Sequence, residues 1–299
     1  MINIKKEQIH FDFDPTIPPA DYAESGDTVK FCCQDCYCEQ ILMDGFDFNK
    51  MNMQLNNPAT GPLYVRGSEP GDVLRVEIKA IDLESSGSMC ARTGAGIYEI
   101  EGCHCRRFSI EDGLVVFDNE IRIPIRPMIG VMGTAPKNEI MSTQSPGEHG
   151  GNLDIKDLGV GASIYLPVNV PGALLSMGDI HGVQGDGETV ICALEMSGEV
   201  TVKVDVIKDG QDIPTPFIVT ESHYITTSAD SSLDNCSTIA AQKMHRFLQK
   251  HSALTDAQSG LLLSLAGNLR ISQIVNPVKG CIMEFPIGLA KEKFSGLGV

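Results

Sequence analysis

Two short segments place metal-competent side chains inside apolar, glycine-rich sequence. The first reads Gly147-Glu148-His149-Gly150-Gly151-Asn152-Leu153-Asp154. The second reads Gly178-Asp179-Ile180-His181-Gly182-Val183-Gln184-Gly185-Asp186-Gly187-Glu188. Imidazole mixed with carboxylate is the donor set of a hydrolytic metal centre, in which a bound cation lowers the pKa of a water towards neutrality. If a strand carries Asp179 and His181, their separation of two puts both side chains on one face. The glycines that follow let the backbone take positive φ and approach a ligand closely. A plainer reading stands beside this one: Gly185-Asp186-Gly187 also suits an ordinary hairpin turn, and His149 alone is more often a hydrogen-bonded structural histidine than a ligand, the two readings balancing only with Glu148 and Asp154 beside it. Three acids, a histidine and a glutamine within residues 179–188 exceed what a turn requires, which favours function. Mixed imidazole and carboxylate ligands suit Zn, Mn or Fe, with Ca favoured where oxygen dominates.

Other catalytic templates fail. The sequence has no GxSxG elbow, HExxH helix or P-loop, and no complete GxGxxG after a strand. The acid-rich turn lacks EF-hand spacing. Of the ten cysteines, Cys33 and Cys36 form a Cys-x-x-Cys without the second pair a zinc finger needs, and Cys103 and Cys105 form another close pair. Reduced thiols filling buried space are the default expectation. His10, His104, His223, His245 and His251 are expected to be structural or exposed.

These segments need a scaffold, and the local pattern supplies one. In residues 73–81, Leu74, Val76, Ile78 and Ala80 alternate with Arg75, Glu77 and Lys79, the period of a half-buried strand. Val200, Val202, Val204 and Val206 repeat it. Residues 162–168 and 189–194 read as strands flanking the second segment. Short connections rule out crossover helices, so antiparallel sheet packed on sheet is expected. Residues 234–249 carry Ala240, Met244, Phe247 and Leu248 at helical spacing, and Thr255 with Gln258 starts a second helix as a capping box, ending near Gly267. The expected architecture is mainly β with a C-terminal helical hairpin. A boundary near residue 218 would separate a body, 1–218, from a packed C-terminal part, 219–299.

The chain has 299 residues, enough for a large core, and a formal charge of −16. That charge repels polyanions at long range, which argues against nucleic acid and anionic membranes as partners. The start shows no signal-peptide pattern and no apolar run reaches membrane length, so a cytoplasmic location is expected.

The motifs also resemble those of the acetamidase/formamidase family across nearly the whole chain. The matching stretches include Ile17-Pro18-Pro19, Ser25-Gly26-Asp27-Thr28-Val29, Asp35 with Gln40, Asn57-Pro58-Ala59-Thr60-Gly61-Pro62, Glu69-Pro70-Gly71-Asp72 and residues 264–273. The DxHxxQGDGE string is the most specific. The resemblance implies a jelly-roll-like β-sandwich, homo-oligomers, and metal-dependent hydrolysis of a short aliphatic amide to carboxylate and ammonia, with zinc expected and Ca or Mn as alternatives. By position it implies His149, Asp154, Asp179 and His181 as the metal region, with Asp35 as a further ligand candidate. Gln184, Asp186 and Glu188 would line the same pocket, Gln184 towards substrate. Glu188 is the expected proton-transfer group, ahead of Glu148 and Asp186, because one of several adjacent acids has its pKa raised by its neighbours. Cys36, Tyr37 and Cys38 depart from the small or acidic residues expected between Asp35 and Gln40. A hydrolase of another small C–N bond and a non-catalytic metal-stabilised sandwich are the alternatives.

Overall fold

The structure, a computed structural model, describes residues 1–210 and 212–289. In chain order its principal strands begin with β1 (Thr28–Cys33), β2 (Ala59–Val65), β3 (Val73–Leu83), β4 (Ser86–Arg92) and β5 (Cys103–Glu111). They continue with β6 (Met128–Gly133), β7 (Gly150–Asn152), β8 (Ser163–Pro167), β9 (Leu175–His181), β10 (Glu195–Met196) and β11 (Gly198–Ile207). β12 (Phe217–Val219) and β13 (His223–Asp230) lead into helices α1 (Leu233–Lys250) and α2 (Asp256–Ala266), followed by β14 (Asn268–Gln273) and β15 (Lys279–Pro286).

One nine-stranded sheet runs Ile2–Ile4, β1, β11, β3, β8, β12, β13, β15, β14. It continues through residue 218, because β12 pairs with β8 on one side and β13 on the other. The second sheet runs from Arg122–Pro124 and Leu114–Val116 through β5, β4, β10, β9, β6 and β7, with β2 also on β9. Most pairings are antiparallel, as the short connections require. The inner faces meet in one core: Val29, Phe31, Leu74, Val76 and Ile78 from the first sheet pack with Leu63, Ile129, Met132, Met177 and Ile180 from the second. Mainly β architecture is therefore what the alternating pattern dictates.

Two local expectations are corrected. In β3 the alternation holds through Leu74, Val76 and Ile78, but a bulge against β11 inserts a residue at this point. Ile81 and Leu83, rather than Ala80, pack against the core beyond it. Residues 189–194 form no strand: Ile191 has φ +100°, and its N–H closes a turn onto the Glu188 carbonyl. The ladder resumes only at Glu195.

The helical hairpin forms as expected. Ser232 caps α1, and Thr255 and Gln258 form the reciprocal capping box of α2. Cys236, Ala240, Met244, Phe247 and Leu248 bury one face of α1 against β13 and β15 around Phe217, Tyr224 and Phe285. No helix among the described residues is long and apolar enough to cross a membrane.

Candidate active site

Strand β9 changes partners halfway along its length. Its first half pairs with β2, while Ile180 and His181 pair with Met196 and Glu195 of β10; β6 runs along the opposite edge. Asp179 stands at the switch with φ +56°, a left-handed conformation that costs a typical residue about 1–2 kcal/mol but that Asp tolerates better than most. Asn57 (φ +63°), Asp154 (φ +46°) and Glu188 (φ +46°) share that conformation. Four strained residues around one point are the backbone signature of a site whose surroundings over-determine it.

The strand switch turns His181, Asp179 and Glu195 towards one another. His181 Nε2 lies 3.3 Å from Asp179 Oδ1 and 3.3 Å from Glu195 Oε2. Its Nδ1 is 2.8 Å from Gln184 Oε1, and Gln184 Nε2 donates to the Asp154 carbonyl at 2.8 Å. An amide oxygen only accepts, so Nδ1 must carry a proton. In the neutral ring, Nε2 then points a lone pair at two carboxylate oxygens. That arrangement is repulsive unless a proton or a cation sits between them.

Asp154 enters from the turn after β7, where Asn276 Nδ2 donates to its Oδ2 at 2.6 Å. With its amide oriented to satisfy both ends, Asn152 donates to Asp154 and Asp179 and accepts from Asn57 and Asn276. Gly130 of β6 makes room for the two acids. A methyl group there would stand 2.6 Å from Asp154 Oδ1 and 2.7 Å from Asp179 Oδ2. Glu188 completes the group. Donor atoms of Asp154, His181 and Glu188 lie within 4.8 Å of one another, as do those of Cys36, Asp179 and Glu195. Asp179 Oδ1, His181 Nε2, Glu188 Oε2 and Glu195 Oε2 are buried without a hydrogen-bond partner.

The electrostatics follow from four buried carboxylates facing one imidazole. Burial and the charge of Asp179 raise Asp154 to about 6. Burial lifts Glu195 to about 8 against the opposing pull of His181. Burial and Asp154 hold Glu188 well above the usual carboxylate range. Burial alone would lower His181, but Glu195 and Asp179 outweigh it and raise it well above an ordinary histidine. For Asp179 burial is offset by His181 and by hydrogen bonds, and the net shift is downward. The group borders a cavity of about 140 Å³ walled by Cys36, Tyr37, Arg92, Asp179, Glu188 and Glu195. That is well below the roughly 300–1,000 Å³ of pockets for drug-sized ligands, so it suits a solute of a few heavy atoms.

Of the residues singled out in the sequence, the structure brings together Asp154, Asp179, His181, Gln184 and Glu188. It does not bring Glu148, His149 or Asp186 to them. His149 packs edge-on against Phe13, with ring centroids 4.9 Å apart, and borders a different cavity with Glu148, Met141 and Thr215. Burial alone pushes it down to about 4, with no carboxylate acting against that shift. Glu148 is exposed and accepts from Lys243 Nζ at 3.0 Å. Asp186 accepts from Arg270 at 2.9 and 3.0 Å and from Lys156 at 2.7 Å. Asp35 lies just behind the cavity wall, where its Oδ1 accepts from the backbone N–H groups of Tyr37 and Glu39. It thereby fixes the turn that carries Cys36 and Tyr37.

Sequence reasoning missed Glu195 and the roles of the amide trio Asn57, Asn152 and Asn276, whereas Cys36 stands out there as a departure from the family pattern. Glu195 did leave a trace: it is the lone acid in the apolar run Val190-Ile191-Cys192-Ala193-Leu194-Glu195-Met196. A charge buried in such a run must be paired or bound to an ion.

Comparison with known proteins identifies the family. The model of the "Acetamidase/Formamidase family" matches residues 2–145 and 139–288. The crystal structure of an acetamidase from Bacillus halodurans is 40% identical, superposes with a TM-score of 0.95 and covers 100% of both chains. A predicted acetamidase/formamidase from Thermoanaerobacter tengcongensis is 35% identical, with a TM-score of 0.94 over 98% of this chain and 97% of that one. The formamidase of Methylophilus methylotrophus is 27% identical over 265 residues, 68% of this chain and 65% of that protein. The chain spans 65–67% of the length of the curated relatives it matches.

Proposed function

Because this chain belongs to the acetamidase/formamidase family, we propose that it hydrolyses short linear amides to carboxylate and ammonia in the cavity walled by Asp179, Glu188 and Glu195. The relatives named formamidase and acetamidase support the reaction class. The observation that carries the reading is His181 Nε2, held between two carboxylate oxygens by a proton fixed on Nδ1.

A divalent cation fits this donor set. The four unpartnered buried atoms are three carboxylate oxygens and one imidazole nitrogen, a combination that suits Zn, Mn or Fe. His181, Asp179 and Glu195 would hold the ion, with Asp154 and Glu188 beside it. Bound there, it would polarise the amide carbonyl and lower the pKa of a water.

The chain's own groups supply the rest. Gln184 and the Asp154 carbonyl keep the imidazole in one tautomer and one orientation. Asn152 and Asn276 hold Asp154, so that the acid stays beside His181 and Glu188 without rotating away. Glu188 borders the cavity, and its Oε2 has no hydrogen-bond partner. Its raised pKa suits it to take a proton from water and return one to the leaving nitrogen. The small volume and the Cys36–Tyr37 wall exclude bulky acyl groups.

The test couples elemental analysis with ammonia release from formamide, acetamide and longer amides. The purified chain is expected to carry a tightly bound divalent cation. Chelation should abolish turnover, and the cation should restore it. At a thousandfold excess over its Kd, the cation should also stabilise the fold by about 4 kcal/mol. Metal-loaded protein that releases ammonia from no short amide would remove the reading.

Gly130→Ala tests the shared space of Asp154 and Asp179. The added methyl is expected to weaken cation binding about 10–100-fold, the usual cost of disturbing groups that orient ligands, and to destabilise the fold by about 1–3 kcal/mol through overpacking. Calorimetric titration and melting of the variant check both; undiminished affinity would mean that the two acids do not share an ion.

A further inference from the structure

Three cysteines that the amide chemistry leaves without a role converge on the β4–β5 ribbon. Cys90 of β4 is the register partner of Cys105 in β5, and Cys103 lies two residues before Cys105 on the same strand. Directly paired residues share a face of a sheet, and so do residues two apart on one strand. All three thiols therefore project together. Their Sγ atoms stand 2.7 Å (Cys90–Cys105), 3.5 Å (Cys90–Cys103) and 3.6 Å (Cys103–Cys105) apart.

A tetrahedral zinc–thiolate centre with bonds of about 2.3 Å separates its sulfurs by roughly 3.8 Å. Two edges of the triangle already approach that length, and the third must open by about 1 Å. The surroundings leave one side open for a further ligand and brace the other. Cys90 is buried, Cys105 half-buried and Cys103 exposed, so the triangle opens to solvent on one side and can take a water as fourth ligand. Cys192 braces Cys90 from below, its Sγ accepting from the Cys90 N–H at 3.2 Å and donating to the Cys90 carbonyl at 3.3 Å. Burial raises the Cys105 thiol to about 11, with Arg92 pulling the other way, so the three thiols stay protonated until a cation displaces the protons.

We propose that Cys90, Cys103 and Cys105 form a three-thiolate site for a thiophilic d10 cation, zinc in the first instance, separate from the imidazole–carboxylate group. Binding exchanges three S–H bonds for three metal–sulfur bonds. Three protons pass to solvent, and no atom changes oxidation state. Because Cys90 and Arg92 also wall the active cavity, the ion would staple β5 to the strand that borders it. The Cys-x-x-Cys of the sequence does not assemble in this way: the Cys33 thiol faces the Met177 carbonyl, whereas Cys36 faces Asp179 and Glu195.

The full chain, purified under reductant and chelated, is titrated with Cd²⁺ without oxygen, and sulfur-to-cadmium charge-transfer absorption is followed in the ultraviolet. Cys36 could contribute a thiolate at the active cavity, so Cys36→Ser serves as the control. The band is expected to appear, to persist in Cys36→Ser, to vanish at equimolar Cd²⁺ in Cys103→Ser and Cys105→Ser, and to be displaced by Zn²⁺. Cys103 is exposed, so its replacement should leave the melting temperature of the chelated protein unchanged. Absence of the band in the wild-type chain, or an undiminished band in Cys103→Ser, overturns the proposal. So does a Cys90–Cys105 disulfide in protein isolated under reductant.

Discussion

Glu188→Gln is expected to cut ammonia release by about 10²–10⁴-fold, the range associated with losing a positioned acid–base group, while the protein folds and binds its cation. The neighbouring acids are already occupied. Glu195 accepts from the Ala193 N–H through Oε1 and faces His181 through Oε2. Asp154 is held by Asn276, and Asp179 lies against His181. Glu188 borders the cavity with an unpartnered Oε2, and in the absence of a cation its raised pKa keeps it protonated. Glutamine reproduces the shape and neutrality of that protonated acid, so the substitution removes proton transfer without leaving a void. The expected signature is a fall in kcat with KM little changed, unaltered metal content and an unaltered melting temperature. Turnover within a few-fold of the wild-type value would pass the role to another group. Loss of cation together with turnover would make Glu188 a ligand instead.

The fold was legible wherever one residue's neighbours in sequence decide its environment. Alternation located β3 and β11, and the Thr255–Gln258 pair located α2 to within a residue. The pattern failed at Ala80 because a bulge depends on the partner strand, which local periodicity does not record. The site divides in the same way. Asp179, His181, Gln184 and Glu188 come from one stretch and were visible together. Asp154 joins them across β6, through the opening that Gly130 leaves. Glu195 reaches His181 only because β10 pairs with the last two residues of β9. Asn276 arrives from the loop after β14, more than a hundred residues away from the acid it holds. Asp186 looked equivalent to its neighbours in the motif, but Arg270 and Lys156 engage it outside the cavity. Composition could not distinguish an acid that faces a cavity from one that closes an ion-pair network.

Chelated protein is expected to lose stability as pH rises from about 4.5 to about 8, the reverse of ordinary acid denaturation. The unfolded chain titrates Glu195 near 4.5, whereas the folded state holds its proton until about 8. Between those values the native state binds more protons than the unfolded state, so the slope of stability with pH is negative. Asp154, raised from 3.8 to about 6, acts with the same sign over a lower window, and Glu188 adds to it. His181 is raised above 6.5; its contribution is full below that value and lost as pH climbs through the folded-state value. Asp179, lowered below 3.8, titrates outside this window, whereas His149, lowered from 6.5 to about 4, and His10, also lowered, bind fewer protons folded than unfolded and oppose the trend up to about pH 6.5. Three acids and His181 outweigh these two histidines, whose opposition ends near pH 6.5. At about 1.4 kcal/mol per pKa unit the net effect amounts to several kcal/mol. A saturating cation should reverse the trend, since its ligands must be deprotonated and its affinity grows with pH. Melting of the chelated chain at about pH 5 and pH 8, with and without cation, reads this directly, and Glu195→Gln should flatten the metal-free slope. A chelated protein whose melting temperature holds or climbs between those two pH values would show that the buried carboxylates do not face one another without an ion between them.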